Sequence, residues 1–183
     1  MIIRFFETMY FKLKKREISI DVRVSSMTLL FVIIRSFVSL VRGSLRGYKW
    51  VLIGGGVRIT SRRQLTIDSG NVIGQYTVLN ATGINGIQLG KSSSIADFCI
   101  LKVSGSMLDI GLGIRIEDGV RIGEFSHIGG AGGVVIGKNT IIGPYFSCHL
   151  ENHVFTKENV LYKDQGVERK DIDVGKNCWA GAK

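Results

Sequence analysis

Three histidines, His127, His149 and His153, carry the acid–base chemistry that this 183-residue chain can perform near neutral pH. An imidazole changes charge in that range, so a positioned histidine can take a proton from a hydroxyl and return it to a leaving group. His153 is the preferred base. The stretch Glu151-Asn152-His153-Val154-Phe155 opens the one long break in an otherwise regular pattern. His127 and His149 each flank an aliphatic repeat position, which suits surface or subunit-contact residues. Asn152 fits either substrate orientation or a plain turn. Residues 132–139 come close to the phosphate-binding G-x4-G-K-[ST]. However, Asn139 lacks the hydroxyl that would hold magnesium, and Ile136 inside the motif belongs to the repeat. Cys99, Cys148 and Cys178 form no CxxC pair and sit at repeat positions. Reduced, buried, structural thiols in a cytoplasmic protein are expected.

The pattern that must position these groups runs through residues 110–148, where an aliphatic residue returns at every sixth place. Ile110, Ile116, Ile122 and Ile128 keep the step, as do Ile136, Ile142 and Cys148. A period of six fits neither a 3.6-residue helix nor simple strand alternation. It fits a solenoid of short strands and turns, each strand pointing one side chain at a common axis. The same rhythm begins at Ile67, Ile73 and Leu79 and resumes at Leu89, Ile95 and Leu101. Small residues fill the alternate inward slots: Asn71, Thr77, Ser93, Cys99, Val120, Ser126 and Thr140, with Cys178 in the same phase. Extra residues after Leu79, before Ile110 and at 129–133 are expected at corners, where a loop costs little. At about 18 residues per three-sided coil, roughly five coils are predicted. After Cys148 the rhythm stops until Val174 and Ala180, leaving a loop of some 20 residues, a length that is usually functional.

The N-terminal part differs in character. Residues 1–66 hold 13 Lys/Arg against 3 Asp/Glu, a net +10, while the whole chain carries +9. Lys12, Lys14, Lys15 and Arg16 follow an apolar-aromatic run, the wrong order for a secretory signal. Residues 22–46 read as an amphipathic helix. Met27, Leu30, Phe31, Ile34, Val38 and Val41 line one face, and Arg35, Ser39, Arg42 and Arg46 another. Its most apolar part, residues 27–41, is shorter than the roughly 20 residues that span a bilayer, so no transmembrane helix is assigned. The helix is expected to cap the open first coil, and its basic flank suits peripheral membrane contact. The division expected is a basic helical cap over 1–50 and a solenoid over 51–183 with an inserted loop at 150–171.

The repeat resembles that of the hexapeptide-repeat acyltransferases, whose fold is a left-handed parallel β-helix. The Asn152-His153 pair at the loop start, Gln165-Gly166 late in it, and Ile172-Asp-Val-Gly-Lys-Asn-Cys-Trp179-Ala-Gly-Ala182 narrow the likeness. They resemble the maltose/galactoside acetyltransferase-like and polysaccharide O-acetyltransferase branch over residues 53–183. That resemblance implies an acetyl-CoA donor, a sugar acceptor and a homotrimer with active sites between subunits. It also implies His153 as general base, Asn152 and His149 at the acceptor, and Trp179, Gly181 and Ala182 against the coenzyme A arm, with Trp179 near the histidine. Arg169 and Lys170 can meet anionic groups or form solvated charge pairs. Zinc carbonic anhydrases share this fold and use three histidines across a subunit interface. The H-x3-H spacing at 149–153 departs from theirs, so no metal is expected. No nucleic-acid partner is expected, and the location expected is the cytoplasm, at the inner face of the membrane. Relatives continue for further coils beyond the tryptophan motif, so a fragment or an incomplete, non-catalytic scaffold is the alternative expectation.

Overall fold

A computed structural model describes residues 8, 20, 21 and 23–182. The Lys12–Arg16 cluster and most of the expected cap's first 20 residues lie outside them. From Val51 onward the chain winds through three parallel sheets in fixed rotation, a β-helix-like solenoid. In the six-stranded first sheet, Ile53, Ile73, Ile95, Ile122 and Ile142 stack in register, and Ala180 follows. Leu79, Leu101, Ile128 and Cys148 form the column of the second sheet, and Leu89, Ile116, Ile136 and Val174 that of the third. Apart from Ala180 and Val174, these side chains are buried, so each strand adds one layer to a shared aliphatic core. The small slots behave as expected, because hydroxyls there bond to carbonyls of the next coil. Thr77 donates to Ala96 O, Ser93 to Glu117 O and Thr140 to Gly175 O.

The coils number five, as the period predicts, but they are longer than 18 residues. Successive first-sheet positions 53, 73, 95, 122, 142 and 180 differ by 20, 22, 27, 20 and 38. The variation all falls at the corner between the second and third sheets. There the chain bridges Thr60 to Leu65, Asn80 to Ile87, Lys102 to Ile114, Gly129 to Val134, and Cys148 to Ile172. Ile110 is therefore not an inward residue. It lies in the third of these bridges, 41% exposed, and Ile114 enters the core in its place. In the three central coils the strand leaving this corner buries both ends, Ile87/Leu89, Ile114/Ile116 and Val134/Ile136, so the third sheet contributes two side chains to each of them.

The other two corners are uniform. Between the first and second sheets, Gly56, Tyr76, Phe98, Phe125 and Tyr145 all adopt positive φ. The four aromatic rings stack in a column with centroids 5.1–5.3 Å apart. A left-handed conformation costs a non-glycine residue roughly 1–2 kcal/mol, and each ring pair returns about 0.5–1.5 kcal/mol. Between the third and first sheets, Gly70, Ser92, Gly119, Asn139 and Asn177 repeat the same turn. Asn139 is thus a corner of the repeat, and the phosphate-loop likeness around it is a by-product of that repeat.

Helix α1, Ser26–Leu45, starts where the Ser25 side chain accepts from the Thr28 N–H. It is followed by Gly47 in the left-handed region. At 20 residues it is long and apolar enough to cross a membrane by length and composition, beyond the shorter apolar core read from the sequence. Its packing reverses the usual arrangement. Leu29 is the one large apolar residue buried, beside Ser39 and Gly43, and a Cβ on Gly43 would run into the Val51 carbonyl, whereas Met27, Phe31, Ile34 and Leu45 are exposed. The helix covers the first coil, with Arg46 donating to Val57 O at 3.2 Å, and reaches up the first sheet to an Arg35–Asp97 ion pair at 3.4 Å.

Cys99 and Cys148 are buried as expected, but Cys178 is exposed, because its slot belongs to the edge coil. Burial lifts the Cys99 thiol to about 11 and also raises that of Cys148. Since the thiolate is the reactive form, iodoacetamide should label Cys178 alone in native protein. Labelling of Cys99 and Cys148 should require denaturant, as read by peptide mass spectrometry. A second outcome concerns the aromatic column. Phe98→Ala keeps the unfavourable backbone and loses two ring contacts, whereas Phe98→Gly also relieves the backbone. Urea unfolding should therefore show Phe98→Ala destabilised by about 1–3 kcal/mol and Phe98→Gly by no more than that, the reverse of their usual order.

A histidine-lined cavity at the insertion corner

The long excursion after Cys148 is an ordered structure. Glu151–His153 pairs antiparallel with Val167–Arg169, with His153 opposite Val167 and Asn152 opposite Glu168. Gln165 closes the segment between them. Its buried amide accepts from the Lys157 N–H at 3.0 Å and donates to Lys157 O at 3.1 Å and Val160 O at 2.9 Å. Arg169 anchors the base of the ribbon. It contacts the Glu151 carboxylate at 2.8 Å, Asp109 Oδ1 at 3.0 Å and the Asp109 carbonyl at 3.1 Å. That guanidinium therefore ties the ribbon to the neighbouring corner bridge. Of the two readings open for Arg169, anion contact or charge pair, the structure shows a charge pair, and at Lys170 the backbone N–H donates to Leu150 O.

The three histidines meet beside this ribbon. His127, His149 and His153 line one cavity of about 260 Å³ together with Lys102, Gly129 and Glu151. The coil register brings His127 level with Ser147, and the His149 ring meets the His127 ring edge-on at 4.7 Å and 80°. Ser147 Oγ and His149 Nε2 are 2.9 Å apart. Burial pushes the His127 imidazole below its ordinary value, and the charges of His149 and Lys102 push it the same way. His127 is consequently neutral at physiological pH, while His153 is exposed at the cavity rim; Asn152, exposed on the same strand, does not line the cavity. Among the described residues, no group of three or more His, Cys, Asp or Glu side chains is placed to hold a metal ion, although the imidazoles share a cavity.

The sequence reading of His127 as a surface or contact residue leaves its place in this cavity unspecified. The available signal was its distance from Ser147, equal to the 20-residue step of the shortest coils. Trp179, Gly181 and Ala182 do not line the cavity. Trp179 projects from the first sheet beside Ile141 and is 79% exposed, and a Cβ on Gly181 would meet open space. Within one chain, then, the expected nearness of Trp179 to His153 is absent, because the two belong to different sides of the prism. No family model matches the chain, and no curated protein matches it. Fold and cavity together define a class only: a parallel β-solenoid with an imidazole-lined cavity at one corner.

Because His127 binds its proton more weakly folded than unfolded, its contribution to stability is present above the unfolded value near 6.5 and is lost as pH falls below it. Urea midpoints measured on either side of that value should therefore drop more on acidification for the parent protein than for His127→Gln.

Proposed function

We propose that this protein is an acetyl-CoA-dependent O-acetyltransferase acting on a sugar hydroxyl in surface-polysaccharide synthesis, with His153 as the general base. The observation that carries the reading is the convergence of the exposed His153 with His127 and His149 around one cavity, at the break in the repeat. In the proposed reaction, the His153 imidazole takes the proton from the acceptor hydroxyl as its oxygen attacks the thioester carbonyl. The tetrahedral oxyanion then collapses, the carbon–sulfur bond breaks, and the thiolate leaves with the proton returned by the imidazolium. Backbone N–H groups of a neighbouring coil would stabilise the oxyanion, and His149, exposed in the cavity lining, suits the acceptor, with Asn152 next to His153 on the ribbon.

The reading includes a left-handed winding and a homotrimer. The resemblance of the repeat, the loop and the tryptophan motif to the hexapeptide-repeat acyltransferases supports both. In such a trimer, the exposed Trp179 with the open Gly181 and Ala182 would receive the coenzyme A arm beside a neighbouring subunit's histidines. That arrangement answers their separation within one chain.

Thiol release from acetyl-CoA, measured with a panel of sugars, tests the proposal. His153→Ala should lose about 10²- to 10⁴-fold in turnover, the usual worth of a general base, with its circular dichroism unchanged. Turnover that survives the substitution removes His153 as base. A parent protein that releases no thiol with any acceptor favours a non-catalytic scaffold.

A further inference from the structure

We infer that α1 is a membrane-docking element that lies flat on an anionic bilayer with its apolar stripe in the lipid. The inference is independent of what the histidine cavity does. It begins with the reversal noted above. Met27, Phe31, Ile34, Phe37, Val41 and Leu45 recur at helical spacing and face outward, with Met27, Phe37 and Leu45 between 63% and 83% exposed. The side turned to the solenoid buries Leu29, Ser39 and Gly43, only one of them a large apolar residue. A helix whose only task was to pack on the core would present these faces the other way round. An exposed stripe of this size marks an interaction surface.

Charge selects the occupant. Residues 1–66 carry 13 Lys/Arg and 3 Asp/Glu. Arg42, Lys49, Arg58, Arg62 and Arg63 are exposed around the helix end and the first coil. A second copy of the chain would set one basic region against another, whereas anionic headgroups neutralise it while the acyl chains take the stripe. The docked geometry selects lying over crossing. Arg35 is paired with Asp97 and Arg46 with the Val57 carbonyl, which holds the helix along the prism wall. A crossing helix would have to release both and bury Arg35 in hydrocarbon.

Co-sedimentation of the full chain with vesicles tests this, using phosphatidylglycerol/phosphatidylethanolamine mixtures against phosphatidylcholine alone. The parent should sediment with the anionic vesicles, and binding should weaken in about 0.5 M salt, where screening is nearly complete. Phe31→Ser/Ile34→Ser/Phe37→Ser, which alters exposed positions only, should partition at least about tenfold less, since apolar burial sets binding strength. Should that variant misfold, Arg42→Gln/Lys49→Gln/Arg58→Gln provides the second reading, with selective loss of binding to the anionic vesicles. Three results overturn the inference: a parent that stays in the supernatant, substituted proteins that bind like the parent, or binding that resists alkaline carbonate, as a crossing helix would. A parent dimer that the serine variant converts to monomer, without vesicle binding by either, assigns the stripe to a second copy instead.

Discussion

The structure depends on register between successive coils. Each strand is only two or three residues long, too short to hold itself, and gains its order from parallel strands above and below. With Ile53 over Ile73 and Ile73 over Ile95, one register places every aliphatic side chain in its column and every small residue in its slot. A slip by one residue would turn the entire inward set to solvent. The buried hydroxyls reinforce that register, since Thr77, Ser93 and Thr140 find their carbonyl partners only when the coils are aligned.

From this follows the division of labour among the three corners. Two corners repeat one tight turn without variation, and any added residue there would break the stacked rings or the turn beneath. The remaining corner absorbs every insertion, and the insertions form their own ladder. Ile84 donates to Gly111 O, Leu112 to Ala131 O and Ile172 to Gly133 O. The histidine cavity sits where this ladder widens. The ribbon beside it is tied down by Arg169 at its base and by Gln165 in the segment that closes it.

The repeat was legible because it is written in side-chain size: branched aliphatic residues in the columns, small polar residues between them. Five coils and the placement of insertions at corners followed from that alone. Ile110 was misread because it stands six places before Ile116, and periodicity does not register a corner bridge that happens to preserve the count. The orientation of α1 was hidden for a different reason. An amphipathic pattern identifies two faces but not which of them meets the core, and here Gly43 and Ser39 decide it by allowing close approach. At the cavity, His153 stood out because it interrupts a rhythm. The partnership of His127 and His149 arises from coil stacking, and the pinning by Arg169 joins residues 60 positions apart.

The excursion within the fifth coil also governs when the cavity comes into being. During synthesis the earlier coils can stack as they leave the ribosome, since each needs only its predecessor. His127 and His149 are in place once Cys148 has docked. The wall that faces them waits for Val167–Arg169 to return as the partner of Glu151–His153, so the cavity is among the last parts of the molecule to form.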